Sequence, residues 1–157
     1  MAGGRQSYFS EKRDQYHDPN FFNRMQLEEL RKNVKRIIRD IKYELIQEQD
    51  YAYFTNTKIL DACLHESHDQ YIAARTRAFA LSYYINNGLN CGYKPFPTTN
   101  IMEERLAAAE AQKIENKRYY VWENIYKIFY NIRYYGAEIT TSLRYITSLS
   151  NSDIANL

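Results

Sequence analysis

The stretch KRYYVWENIYKIFYNIRYYG, residues 117–136, decides the fold of this chain. It holds six tyrosines, a tryptophan and a phenylalanine, and β propensity alone would allow a strand. However, its aliphatic residues do not alternate with a period of two. They recur at steps of four, three and four, at Val121, Ile125, Ile128 and Ile132. This spacing places them along one side of an α-helix, so the stretch predicts a helix with an apolar stripe.

The same rhythm extends in both directions along the chain. From Ala107 to Ile139 the steps of the stripe alternate between four and three without interruption. Asn100 and Glu103 form a pattern typical of a capping box at the start of this region. Gly136 is the expected kink or break. The spacing therefore predicts one bent helix, or two helices, over residues 100–147.

Two further helices are predicted upstream. Apolar residues from Leu27 to Leu45 recur at steps of three and four, which predicts a first helix from about Asp18 to about Asp50. A second helix is predicted from Thr55–Thr57 to a stop at Asn87 and Gly88. The inner face of this second helix has a heptad rhythm and comprises Leu60, Leu64, Ser67, Tyr71, Ala74, Ala78, Leu81 and Ile85.

These patterns predict an all-α fold, namely an elongated antiparallel bundle of three or four long helices with polar arms at both termini. Residues 1–17 are interpreted as a polar N-terminal arm, and residues 18–147 as the helical bundle domain. Within this domain, residues 88–100 carry two of the three prolines and form the expected contact loop. Residues 148–157 are interpreted as a polar and loose C-terminal tail.

The composition narrows the class of protein. A chain of 157 residues with 45% hydrophobic content is large enough to bury one core, and a net charge of +2 creates no strong overall field. Cys63 and Cys91 match neither a disulfide framework nor a zinc-site spacing. No apolar run has the length of a membrane span, and the first residues do not resemble a signal peptide. We therefore expect a soluble protein of the cytoplasm or of a virion.

Aromatic residues are concentrated on two predicted helix faces. On a helical wheel the tyrosines of the opening stretch flank the aliphatic stripe, which suits a widened core, a subunit interface or a base-stacking platform. The second helix carries another apolar group opposite its heptad stripe, as expected for a helix that contacts a partner. The predicted protein interface comprises Ile72, Phe79, Tyr83, Tyr93, Phe96, Tyr119, Tyr126, Tyr130 and Tyr134.

A basic stripe follows one side of the first predicted helix. It comprises Arg31, Lys32, Lys35, Arg36, Arg39 and Lys42. Such a stripe can contact a nucleic-acid backbone or an acidic protein partner, and it can also be a solvated face.

The segment DACLHESHD, residues 61–69, is the one histidine-rich site. Asp61, His65 and His68 fall on one helix face, which could offer two imidazoles and a carboxylate to a metal. The segment nevertheless lacks the HExxH arrangement and the Glu-x-x-His motif of di-iron bundles. Surface or interface histidines are therefore the expected interpretation, with no metal and no other cofactor.

The sequence contains no phosphate-binding glycine loop and no nucleophile elbow, so we expect no enzymatic activity. The favoured hypothesis is a structural or interaction subunit of a large multi-protein assembly, such as a ring or head–tail connector protein of a phage or viral particle, probable partners being copies of itself and other subunits. Two alternatives are a nucleic-acid-binding helical module that uses the basic stripe and a supernumerary subunit of an organellar complex.

Overall fold

A computed structural model of the chain describes residues 26–87 and 101–157. The expected N-terminal arm at residues 1–17, the predicted helix start at Asp18 and the contact loop at residues 88–100 lie outside the described residues. So do Asn100, the predicted cap, and the interface candidates Tyr93 and Phe96.

The described part of the chain contains helices and no strand, which confirms the all-α prediction. Its elements are α1 (Leu27–Lys32), α2 (Val34–Lys42), a 3₁₀ helix (Glu48–Thr55), α3 (Thr57–Asn87), α4 (Ile101–Tyr135), α5 (Ile139–Ser148) and α6 (Asn151–Ala155). Only α3 and α4 are long, so the prediction of three or four long helices is wrong in its count. None of the helices described is both long enough and apolar enough to cross a membrane.

The two long helices form an antiparallel hairpin. They have 31 and 35 residues, and so extend about 46 and 52 Å at roughly 1.5 Å per residue. Arg133, near the end of α4, donates a hydrogen bond to Asp61, near the start of α3, over 3.1 Å. At the opposite end the Tyr84 hydroxyl donates to a Glu104 carboxylate oxygen over 2.7 Å. The helices therefore pack along most of their length.

The main core lies at one end of this hairpin, where the shorter elements pack around the first half of α3 and the second half of α4. Its largest fully buried side chains are Trp122, Phe54, Phe129, Leu30, Ile37, Ile38, Ile41, Ile46, Ile59, Ile125 and Leu143. The heptad stripes of the sequence supply many of these residues. We call this part of the molecule the base.

The other end of the hairpin is thinner. Its own buried cluster consists of Leu81, Tyr84 and Ala108, with Ile85 and Ala111 packed against it. We call residues 74–87 and 102–115 the distal hairpin. Among the described residues, this region consists of two helices that pack against each other and of little else.

The first helix differs from its prediction. The predicted helix to about Asp50 is broken at Asn33, whose side-chain amide donates to the Glu29 carbonyl oxygen over 2.8 Å, and α2 ends at Lys42. The backbone N–H groups of Leu45 and Ile46 then both donate to one carbonyl oxygen, that of Asp40. This turn buries two consecutive apolar side chains, which a continuing helix would place about 100° apart. The apolar rhythm therefore predicted which residues are buried but not the path of the backbone.

Gly136 separates α4 from α5, so the predicted break gives two helices. Its φ of +63° lies in the left-handed region, which glycine adopts without steric cost. The side chain of Glu138 then caps α5 by accepting hydrogen bonds from the backbone N–H groups of Thr140 and Thr141.

The C-terminal residues are not loose, and this part of the prediction is wrong. Ser150 caps the short helix α6, and the side chains of Leu149, Ile154 and Leu157 are buried. The Trp122 indole N–H donates to the Leu157 carbonyl oxygen over 3.1 Å. Although this segment is polar in composition, its three aliphatic residues cover the tryptophan of α4 and exclude water from it.

Candidate interaction site

A row of tyrosines follows the flank of α4 beside α3. The ring centroids of Tyr126 and Tyr130 are 5.8 Å apart, and those of Tyr130 and Tyr134 are 4.8 Å apart. From α3, the rings of His68 and Tyr71 approach Tyr126 to 5.5 and 5.4 Å. The row therefore forms a continuous aromatic surface across two helices.

These three tyrosines form one wall of an open cleft of about 380 Å³, which we call the tyrosine cleft. The other wall consists of residues from α3 and of one residue from α1, namely Leu64, His65, His68, Asp69 and Arg31. Its size lies within the range of ligand-binding pockets.

The charges of the cleft are paired with one another. The Arg31 guanidinium contacts the Asp69 carboxylate and lies 3.4 Å from a Glu66 carboxylate oxygen. His68 Nδ1 lies 3.6 Å from the other oxygen of Asp69. Burial by itself would lower the pKa of Arg31, but the hydrogen bond and charge of Asp69, together with Glu66 and Glu28, raise it. The guanidinium therefore stays charged and is neutralised locally.

The tyrosine hydroxyls, in contrast, have open hydrogen-bonding capacity. Within residues 26–87 and 101–157, no hydrogen bond engages the hydroxyls of Tyr126, Tyr130 or Tyr134. Burial raises the pKa of Tyr126, and the neighbouring hydroxyls of Tyr71, Tyr130 and Tyr134 raise it further. These groups are thus neutral at physiological pH and can each donate a hydrogen bond.

The structure brings together residues that the sequence placed in three separate features. Arg31 belongs to the basic stripe, His65 and His68 to the histidine-rich segment, and Tyr126 and its neighbours to the aromatic stretch. No short-range pattern links them, because they lie on three helices that meet only in the folded chain.

Other predicted interface residues are distributed differently. Tyr119 continues the aromatic row, with its ring 6.1 Å from that of Tyr71, and a hydrogen bond to Glu123 raises its pKa. Phe79 and Tyr83 are exposed on the outer face of α3, and Ile72 on the same face is half-buried.

Two residues that the sequence analysis did not single out show the same behaviour on α4. Met102 and Leu106 are exposed on its outer face in the distal hairpin. Their spacing of four, outside the buried stripe, is the signal that could have identified them.

The basic stripe is only partly available to a partner. Arg31 is engaged by carboxylates, as described above, and Lys42 Nζ donates to the Thr147 carbonyl oxygen over 2.9 Å, which ties α2 to α5. Lys32 and Arg39 are exposed, whereas Lys35 and Arg36 are half-buried.

The histidine-rich segment does not assemble into a metal site. Asp61 pairs with Arg133 of α4, while His65 and His68 border the tyrosine cleft. Among the residues that the structure describes, no three His, Cys, Asp or Glu side chains are grouped to hold a metal ion.

Comparison of the chain with protein-family models, with curated proteins and with solved structures finds no match. The class that the fold defines is thus an all-α protein with a helical hairpin on a packed base, and its function has to be argued from its surfaces.

Proposed function

We propose that this chain is a non-enzymatic interaction subunit of a larger protein assembly, and that copies of it associate through the distal hairpin. The observation that carries this proposal is the exposure of large apolar side chains on both outer faces of the hairpin. Phe79 and Tyr83 of α3 are 65% and 56% exposed, and Met102 and Leu106 of α4 are 68% and 64% exposed. Apolar groups in such positions favour a protein partner.

The geometry of the hairpin supports contacts on two sides. Phe79 and Tyr83 lie about 140° and 180° around α3 from the buried Ala74. Met102 and Leu106 lie about 120° and 160° around α4 from the buried Ala108. Because each helix buries the face that meets the other, these two apolar groups point away from each other.

A subunit with two different contact faces can bind one copy on each side. Such heterologous contacts close into a ring or continue as a filament. Within this class we propose a virion component, such as a ring or head–tail connector protein. A supernumerary subunit of an organellar complex is the alternative, since it would need the same kind of surface.

Sedimentation velocity of the purified chain tests the self-association. We expect the wild-type protein to form oligomers whose size increases with concentration, and the variant Phe79→Ser with Tyr83→Ser to shift toward the monomer. Tyr135→Ser is the matched control, because Tyr135 is 75% exposed but lies at the base end of α4. A wild-type chain that stays monomeric from micromolar to millimolar concentration would contradict the proposal.

Nucleic-acid binding is the second candidate, and the surroundings of Lys35 favour it. Burial lowers the pKa of Lys35; Glu66 opposes this shift, and Arg39, Arg118 and Arg77 lower the pKa further. Cationic groups from α2, α3 and α4 therefore gather near this residue, and such a group of charges can contact a phosphate backbone.

Charge reversal separates the two candidates. Nucleic-acid binding that weakens steeply with salt and is lost in Arg36→Glu with Arg39→Glu would support the second candidate. If the same double variant changes neither the oligomeric state nor any affinity for nucleic acid, the basic residues form a solvated face.

A further inference from the structure

We propose that the tyrosine cleft binds a proline-rich segment of a partner protein in the polyproline II conformation. The inference concerns a different surface and a different partner from the self-association proposed above. Either proposal can therefore fail without the other.

The first argument is the shape of the aromatic wall. The ring planes of Tyr126 and Tyr130 are tilted by 52° to each other, and those of Tyr130 and Tyr134 by 53°. Adjacent rings therefore enclose two notches with apolar sides. Aromatic-lined grooves of this kind accept the pyrrolidine rings of proline-rich ligands.

The second argument is the length of the row. The centroids follow one another at 5.8 and 4.8 Å along α4. One turn of a polyproline II helix comprises three residues and advances by about 9 Å. The three tyrosines thus span about one turn of such a ligand.

The third argument is the hydrogen-bonding inventory. The hydroxyls of Tyr126, Tyr130 and Tyr134 engage no other described residue and can each donate. Proline residues present carbonyl acceptors and no N–H donors, and their carbonyls have no partner within a polyproline II helix. A proline-rich backbone would accept these hydrogen bonds without leaving a donor of its own unpaired.

The fourth argument is charge. Arg31 is neutralised by Asp69 and Glu66, so no unpaired charge on this wall selects an ionic ligand. An uncharged segment meets this requirement. A cation held by the aromatic rings is the competing ligand, since tyrosine faces also attract ammonium groups.

Fluorescence anisotropy with a labelled decaproline peptide tests the inference. We expect saturable binding to the wild-type chain and no saturable binding of a glycine–serine peptide of equal length. Tyr130→Ala should weaken the binding by at least about tenfold, as for an aromatic residue at the centre of an interface. Tyr130→Phe keeps the ring and removes the donor, so it should weaken binding by about fivefold.

Three further variants make the result decisive. Tyr134→Ala should also weaken binding, and it provides the test if Tyr130→Ala loses helicity by circular dichroism, because the Tyr134 side chain is largely exposed. Tyr120→Ala is the matched control, with a ring that is 55% exposed but is not part of the cleft. The variant Phe79→Ser with Tyr83→Ser should bind decaproline like the wild-type chain, which separates this site from the self-association.

Several results would overturn the inference. They are the absence of saturable decaproline binding up to millimolar peptide, equal binding of the glycine–serine peptide, and undiminished binding in both alanine variants of the cleft. Displacement of the peptide by tetramethylammonium, with Tyr130→Phe binding like the wild-type chain, would assign the cleft to cations instead.

Discussion

Tyrosine serves three different purposes in this chain, and the residue type alone does not distinguish them. Tyr84 is buried and donates its hydroxyl to Glu104. Tyr126 is half-buried and leaves its hydroxyl at the wall of a cleft. Tyr83 points to solvent on the outer face of α3. Since the ring is apolar and the hydroxyl is polar, each environment satisfies one part of the same side chain.

Glu138 provides a prediction at the residue scale, because it caps α5 with its carboxylate. Hydrogen bonds from Thr141, first from its side chain and then from its backbone N–H, lower the pKa of Glu138, and those from Thr140 add to the shift. A carboxylate with a lowered pKa in the folded state contributes stability that is present above its unfolded pKa of about 4.3. That contribution is lost as the pH falls through the folded value.

Glu138→Gln keeps an acceptor but cannot titrate. Its urea-unfolding midpoint, measured by circular dichroism, should therefore decrease less than that of the wild-type chain between neutral and acidic pH. Glu138→Ala is the control and should be less stable throughout, since it removes the cap. Equal pH dependence in the wild-type chain and the glutamine variant would show that the cap does not depend on the charge.

At the scale of elements, the short helices complete the core that the two long helices begin. α6 has only five residues, too few to be stable alone, yet it is capped by Ser150 and buries Ile154. The split between α1 and α2 has the same origin. Both elements owe their positions to contacts with the hairpin, because neither is long enough to be set by helix propensity.

Removal of residues 151–157 tests the role of the last element. The deletion takes away the buried side chains of Ile154 and Leu157 and the acceptor of the Trp122 indole N–H. We expect the free energy of unfolding to fall by about 3 kcal/mol or more, at roughly 1.5–3 kcal/mol per buried aliphatic side chain. The chain has one tryptophan, so its fluorescence emission should shift to the red as water reaches Trp122.

Ser152→Ala is the control for this deletion, because Ser152 is exposed on the same helix. It should leave both the stability and the emission maximum unchanged. An unshifted emission maximum in the deleted chain would mean that residues 151–157 do not shield the tryptophan.

At the scale of the whole molecule, the packed base and the distal hairpin differ in how many elements support them. Ile125 and Phe129 lie in a core to which elements throughout the base contribute. Tyr84 and Ala108 lie in a cluster supplied by α3 and α4 alone. Local opening of the distal hairpin therefore exposes less apolar surface than opening of the base, and it should cost less free energy.

Hydrogen exchange measures this difference directly. In the monomeric variant Phe79→Ser with Tyr83→Ser, backbone amides near Tyr84 and Ala108 should exchange at least about tenfold faster than those near Ile125. In the wild-type chain, protection of the distal hairpin should rise with protein concentration as copies associate, while the base serves as the internal control. Uniform protection along both long helices of the monomer would contradict this division.

Much of the fold could be predicted from local patterns. The heptad residues Leu60, Leu64, Ala74, Ala78 and Leu81 are buried as their spacing indicated. The candidate site was predictable only in pieces, because Arg31, His68 and Tyr126 are far apart in sequence. Their approach depends on how α1 crosses the hairpin, which no local spacing specifies.

The sequence by itself determined the helical class, the buried stripes and the break at Gly136, since these follow from side-chain periodicity and from the conformations that a single residue can adopt. Only the tertiary structure decided that the first helix ends at Lys42, that Leu157 covers Trp122, and which tyrosines share a cleft. The physical reason is that these features depend on apolar contacts between distant segments. Such contacts override local propensity once a core is available.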